Sequence, residues 1–284
     1  MIPFATFVEY TEQIPQVRAL IDSLRRFGGR YAQNRVLVYT MSDLRLNDGE
    51  IVKVDVPEQA MDYALGAKPY FAEKAEHDLR DYEQFLYLDP NIVFLGPNDI
   101  LLSENKKLGW RPVFHRNIGC LWDEGPDEFW QHVFNVCEVD QSLLFQMQTV
   151  ADDLVLLPSF NCGFVLARPE LGIMTAWRAS FEALMLDKWI ASHSRDGLNN
   201  VFLHQAALVP AILNSIEEED LLRLPDTYNV PILFHLFWES KRKYEDISEC
   251  RSIKYEMPGS VNNWCKLLKG PREKIEYLRD NLPI

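Results

Sequence analysis

The chain has 284 residues, 47% hydrophobic and 25% charged with 16 Pro and 13 Gly, a globular composition that excludes disordered and collagen-like classes. At roughly 150 residues per domain the length allows about two units, and one α/β body with a small annex is expected. Against 42 Asp and Glu stand 29 Lys and Arg; the net charge of −13 disfavours nucleic acid and anionic membrane but leaves room for a local basic pocket that takes a small anion.

Residues 1–9 carry no basic leader and reach Glu9 too early for a signal h-region. No run of about 18 apolar residues occurs, so the sequence predicts no transmembrane segment and a cytoplasmic location. The five cysteines, Cys120, Cys137, Cys162, Cys250 and Cys265, are scattered without a C-x-x-C pair, which argues for buried thiols over a disulfide framework or a zinc site.

In chain order, Ile2 to Val8 reads as a strand closed by Glu9-Tyr10-Thr11. Ile14, Val17, Leu20, Ile21 and Leu24 then recur at helical spacing up to Gly28-Gly29, with Thr11 as N-cap. Arg35 to Thr40 and Ile51 to Val56 read as the next strands. A helix from about Pro69 to Tyr82 leads into the apolar run Gln84 to Leu88, stopped by Asp89-Pro90-Asn91. This alternation predicts a mostly parallel sheet. Ligands collect at the carboxyl ends of such strands, so Glu9-Tyr10-Thr11 and Asp89-Pro90-Asn91 should lie beside one crevice.

After Asn91 the pattern reads as mixed. A strand is expected from Leu108 to His115, a helix from Glu128 to Val136, and two short strands between Val155 and Ala167 interrupted by Pro158 to Gly163. Helices are expected from Leu171 to Ile190 and from Asn200 to Ile216, then an irregular Leu224-Pro225-Asp226-Thr227-Tyr228-Asn229 and an apolar run from Val230 to Trp238 that holds His235. Residues 1–243 are read as the main domain and 244–284 as a C-terminal tail that wraps the same body.

A carboxylate and an amide two residues apart, Asp89 and Asn91, can turn toward one divalent cation as hard oxygen ligands, or simply form a turn. Laid out in order, the pieces resemble the GT-A nucleotide-sugar transferases of the glycogenin and lipopolysaccharide galactosyltransferase type. A hydrophobic strand ends in an Asp-x-Asp-like motif at Asp89-Pro90-Asn91, with Lys74 in the preceding helix. An Asn-x-Gly hairpin follows at Asn161-Cys162-Gly163, and His204-Gln205 half-matches an Asp-Gln pair. Then come Leu224 to Asn229, and finally His235 with Lys241 six residues later. The resemblance spans roughly residues 3 to 243.

It implies a GT-A-like, Rossmann-like mixed sheet flanked by helices, with a smaller acceptor-side subregion. It also implies transfer of a hexose, with retention of configuration, from a nucleotide diphosphate sugar, a UDP-sugar above all, to a hydroxyl on a glycan, a lipid-linked sugar or a protein. In that reading Asp89, Asn91 and His235 hold Mn²⁺ or Mg²⁺, which takes up charge on the departing diphosphate. Lys241 and Lys74 add cations near the donor, Val8, Glu9, Tyr10 and Asn229 frame the nucleotide, and Asn161, His204 and Gln205 face the reacting sugar.

The chain departs from the pattern at Asn91, where Asp is usual, at His204, which replaces Asp, and around His235 and Lys241, where Gly and Pro-Trp are missing. Two other readings stay open. A sugar nucleotidyltransferase would be expected to carry a Gly-rich loop after the first strand, and Glu9 to Gln13 has no glycine. A non-catalytic nucleotide-sugar-binding relative is motivated by Asn91 and His204. On the residues alone, Lys74 between Glu73 and Glu76 also reads as a solvated helix face, and Gly163 as a turn residue with an unusual backbone angle.

Overall fold

A computed structural model of the chain describes residues 2–232, 246–255 and 264–282. The first half builds β1 (Phe4–Val8), α1 (Ile14–Phe27), β2 (Val36–Thr40), β3 (Glu50–Lys53), α2 (Lys68–Asp78), β4 (Phe85–Leu88), β5 (Ile92–Phe94) and β6 (Leu108–Trp110). The second builds α3 (Glu128–Val136), β7 (Met147–Gln148), β8 (Val155–Leu156), β9 (Phe164–Ala167), α4 (Ile173–Leu186), α5 (Lys188–His193), α6 (Gly197–Leu213), β10 (Leu221–Arg223), β11 (Val230–Pro231), β12 (Ser252–Lys254) and α7 (Arg272–Asn281).

Seven strands form one sheet in the order β10-β6-β9-β4-β1-β2-β3. The pairs β1–β2, β2–β3, β1–β4 and β6–β10 are parallel, and β9 runs antiparallel to both β4 and β6. The mixed character expected of the second half therefore enters at β9. All residues of β1, β2, β4 and β9 are buried, which is why their sequences are continuous apolar runs instead of alternating ones.

One core, packed by α2, α4 and α6, fills one face of the sheet around Phe7, Tyr87 and Trp177. The other face packs α1 through Val17, Leu20 and Leu24 against Phe4, Val38 and Leu86. Because β1 and β4 are parallel neighbours, the residues that follow Val8 and Leu88 emerge at the same edge of the sheet.

Several boundaries differ from the sequence reading. Thr11 opens a short 3-10 turn, Thr11–Gln13, instead of capping α1, which starts at Ile14 with Pro15 in its first turn, where a missing N–H costs nothing. The helix predicted to reach Tyr82 ends at Asp78, and the strand predicted to reach His115 ends at Trp110. The long helix expected from Leu171 to Ile190 is two: Asp187 stops α4 and caps α5 by accepting from Trp189 N and Ile190 N.

The described C-terminal residues add a strand and a helix to the body. Strand β12 lies between β11 and β5, parallel to the first and antiparallel to the second. Helix α7 packs on α1, with Tyr277 Oη donating to Ala19 O at 3.0 Å and the Tyr277 ring edge-on to Phe27 at 5.2 Å. Among the described residues no helix is long and apolar enough to cross a membrane.

Candidate active site at the edge of β1 and β4

The end of β4 delivers Asp89 into a buried position, 6% exposed, where its backbone N donates to Gly163 O at 2.9 Å. The Asp89 carboxylate accepts from two ammonium groups. Lys68 Nζ bonds Oδ1, and Lys254 Nζ bonds Oδ2 at 2.8 Å. Burial alone would raise the Asp89 pKa, but Lys254 and Lys68 hold it well below the usual carboxylate range, so it is ionised. The three side chains sum to one positive charge at a sheet edge, in a chain whose overall charge is −13.

Lys68 sits in the first turn of α2 and is fully buried. Its ammonium also donates to Cys162 Sγ at 3.2 Å and lies 5.5 Å from the centroid of the Phe7 ring. Burial, more than any neighbouring charge, raises the Cys162 thiol above its ordinary value, so it accepts from Lys68 as a neutral group. Cys162 in turn donates to Gln205 Oε1 at 3.7 Å, which ties α6 to the same cluster.

Around this centre the hairpin before β9 supplies Asn161, whose Oδ1 accepts from Gly163 N at 2.9 Å and from Asn229 Nδ2 at 3.3 Å. Asn229, fully buried with φ of 52°, donates its backbone N to Ser252 Oγ at 2.9 Å. Gly163 is required for space and not for conformation, since its φ is not positive. A Cβ there would lie 2.7 Å from Asp89 Cγ and closer still to Oδ2.

At this edge Asn91 Oδ1, His204 Nδ1 and Asn229 Oδ1 are buried polar atoms without a hydrogen-bond partner among the described residues, while the buried Glu9 carboxylate is hydrogen-bonded by Tyr10 and the Ala67 backbone. A buried polar atom left unpaired is costly. His204 is 3% exposed, and burial followed by the charge of Lys68 lowers its pKa to about 3. At neutral pH it is an uncharged imidazole, suited to hydrogen bonding and not to proton transfer.

Burial likewise raises Glu9 to about 7, against the hydrogen bonds from Tyr10 and the Ala67 backbone and the charge of Lys68. Between pH 4.5 and about 7 the folded chain keeps a proton on Glu9 that the unfolded chain has released. Stability from this group is therefore present at low pH and falls as pH rises through that window, by about 3 kcal/mol in all. His204 acts in the opposite sense: below 6.5 the unfolded imidazole takes a proton that the folded one refuses down to about 3, so stability falls as pH drops. Glu9→Gln is accordingly expected to raise the midpoint of thermal unfolding at pH 8 by several degrees, with a much smaller gain at pH 5. An equal gain at both values would show that Glu9 is an ordinary exposed carboxylate.

The remaining candidates are placed as follows. Val8 is buried at the end of β1. The backbone amides of Glu9 and Tyr10 both donate to Gln13 Oε1, at 2.7 and 3.2 Å, so that side chain holds the amides expected to face a nucleobase; the Tyr10 ring is 42% exposed. Lys74 pairs with Asp78 one turn along α2 on a half-exposed face, and it is Lys68, at the start of that helix, that reaches Asp89. His235 and Lys241 lie outside the described residues.

Among the described residues no group of three His, Cys, Asp or Glu side chains converges to hold a metal ion. Of the residues expected to hold a metal, Asp89 has an ammonium on each carboxylate oxygen, Asn91 offers one amide oxygen, and His235 lies outside the described residues.

Lys68 and Lys254 are the residues on Asp89 that sequence reasoning missed. Ser252, Ile253 and Tyr255 are all buried around Lys254, and four residues amid charges give a weak strand signal.

The sequence matches no family model and no curated protein. Solved structures of similar shape include the galactosyltransferase LgtC in complex with donor and acceptor sugar analogues, at TM-score 0.50 and 14% identity over 100% of this chain and 97% of that one. The bifunctional glycosyltransferase WbbM matches at TM-score 0.52 and 11% identity, over 98% of this chain and 51% of that one. The glycosyltransferase GlyE of Streptococcus pneumoniae TIGR4 matches at TM-score 0.51 and 13% identity, over 99% of this chain and 60% of that one. A seven-stranded, mostly parallel sheet with β9 reversed, flanked by helices on both faces and aligned with these chains over nearly its whole length, gives this protein the GT-A glycosyltransferase fold.

Proposed function

We propose that the protein is a glycosyltransferase that moves a hexose from a nucleoside diphosphate sugar, with uridine as the base, to a hydroxyl of a glycan, a lipid-linked sugar or a protein. The observation that supports this reading is the buried Lys68–Asp89–Lys254 cluster, set beside Asn161 and Gln205 at the strand edge where sheets of this kind bind ligands.

In a glycosyl transfer the bond between the anomeric carbon and the diphosphate oxygen breaks, and negative charge grows on the departing diphosphate. Fixed cations at that oxygen lower the barrier because they need no reorganisation as the charge develops. Asn161 and Gln205 are the amides assigned to the sugar hydroxyls in this reading; Asn161 Oδ1 already accepts from Gly163 N and Asn229 Nδ2, so its part would be that of a donor. Retention at the anomeric carbon is the course the family resemblance carries, with His204 as a neutral hydrogen-bonding group where the family has a carboxylate.

Two measurements test the reading. UDP at about one hundred times its Kd should stabilise the fold by about 2.7 kcal/mol, seen as a rise in the unfolding midpoint. Incubation with a panel of UDP-hexoses should release UDP. Stabilisation without release would favour the non-catalytic binding reading, and neither effect with any nucleoside diphosphate would remove the donor claim.

A further inference from the structure

The segment that leads into α2 serves two places. From Ala64 onward it borders the candidate active site: the Ala64 backbone hydrogen-bonds the His204 imidazole, and the Ala67 backbone the Glu9 carboxylate. Just before, Asp62 and Tyr63 line a second cavity of about 570 Å³, bounded across from them by Met185 and Leu186 at the end of α4 and by Ser194 and Arg195 ahead of α6. Its volume lies in the range of small-ligand sites. Asn200 ties the two walls together, its Nδ2 donating to Asp62 O at 2.9 Å and Ser194 O at 3.1 Å while its Oδ1 accepts from Ala64 N at 3.1 Å. The cavity is thus built before any ligand arrives. Asn200 and His204 are four residues apart on α6, roughly 6 Å along the axis, so the cavity and the candidate active site are neighbours.

The polar groups around this cavity are left over. Among the described residues Asn200 bonds Asp62 and Arg195 through their backbone carbonyls, and neither of their side chains has a hydrogen bond or an ion pair. Burial and then Asp62 raise the Tyr63 phenol while Arg195 lowers it, so both charges sit near that hydroxyl. Ser194 is completely buried, and its Oγ has no hydrogen-bond partner among the described residues, a cost that a hydroxyl-bearing ligand would remove.

The lining also selects a chemistry. One guanidinium and one carboxylate cancel, so the wall offers no excess of positive charge for a phosphate. The same two charges would be costly to cover with a hydrocarbon chain. A neutral ring with adjacent hydroxyls suits both: a guanidinium donates, a carboxylate accepts, and the Gln59 amide at the rim does either, while Met185 and the exposed Leu186 offer apolar surface to the ring carbons.

Resting on the glycosyltransferase reading above, we propose that this cavity binds a neutral sugar unit of a glycan acceptor, one remote from the hydroxyl that reacts, with Arg195 and Asp62 as its hydrogen-bonding residues.

The test is calorimetric titration of the full chain with maltotriose, cellotriose, chitotriose and lactose, with trigalacturonic acid as the anionic comparison and UDP titrated into the same preparations. At least one neutral oligosaccharide should bind, and more tightly than trigalacturonic acid. Arg195→Ala and Asp62→Asn change exposed side chains and should fold, as checked by circular dichroism. Each should weaken binding of that oligosaccharide by roughly fivefold or more, with UDP affinity held within about twofold. No binding by any neutral oligosaccharide overturns the proposal, as does binding that both variants leave unchanged, tighter binding of trigalacturonic acid, or an equal loss of UDP affinity. Each of these leaves the nucleotide-sugar reading standing if UDP binds the unmodified chain. If none of UDP, GDP, ADP or CDP binds, the functional reading fails, and the acceptor assignment falls with it whatever the sugars do.

Discussion

Asp89→Ala is expected to lower the free energy of unfolding by about 3–5 kcal/mol and to abolish nucleotide binding, because it strands a completely buried Lys68 ammonium with no anion. Its thiol contact to Cys162 and the Phe7 ring are too weak to replace a carboxylate. Lys254 is less affected in stability because part of its side chain reaches solvent. The measurement is urea unfolding of the variant beside the unmodified chain, with UDP binding followed in parallel.

Converting the sealed pair to apolar groups, Lys68→Met with Asp89→Leu, should recover much of the lost stability, since a buried ion pair contributes little over well-packed hydrophobic residues. It should not recover binding, because the carboxylate that positions the Lys254 ammonium is then gone. A cost below about 1 kcal/mol for Asp89→Ala would mean that the ion pair is solvated and that the buried cluster does not exist.

Gly163→Ala is expected to have the next largest effect, although it adds a single methyl group. The methyl would lie 2.7 Å from Asp89 Cγ and 3.2 Å from Asn161 Oδ1, and neither neighbour is the free end of a flexible side chain. Asp89 is fixed by two lysines and by its own backbone bond to Gly163 O, and Asn161 by Gly163 N and Asn229. Relief therefore requires displacing the carboxylate from Lys254, the hairpin from β4, or both. A loss of about 1–3 kcal/mol is expected from overpacking, with UDP affinity falling by roughly tenfold or more. A variant with unchanged stability and UDP affinity would show that the carboxylate tolerates movement and that its placement is not what positions the cations. The sequence reading assigned this glycine to an unusual backbone angle, where alanine would be strained; in the structure its φ is not positive, and the penalty comes from the Asp89 carboxylate instead.

The α/β architecture and the edge where the site lies could be read from the sequence, because both depend on local pattern. Buried parallel strands are continuous apolar runs, and the first polar residues after them, Glu9 after Val8 and Asp89 after Leu88, mark where the chain leaves the sheet. Asn161, His204 and Gln205 were also legible, as amide and imidazole side chains at the turn before β9 and on α6, and they do gather at that edge.

What surrounds Asp89 was not legible, since an ion pair leaves no periodicity behind. Lys68 lies 21 residues from its partner and Lys254 lies 165 residues away. Lys74 and Lys68 are both basic residues of α2, and only the rotation of that helix against the sheet decides that the second points inward while the first pairs with Asp78. Likewise Gly163 is a turn residue until β4 and β9 pair, and only then does the missing Cβ become the space that Asp89 occupies. The order of apolar and polar residues thus set the sheet and its ligand-binding rim, because burial of apolar surface is the dominant, non-directional term. Which charges meet at that rim was decided by strand register and helix rotation, because electrostatic pairing in a buried place depends on distances of a few ångströms that exist only in the folded chain.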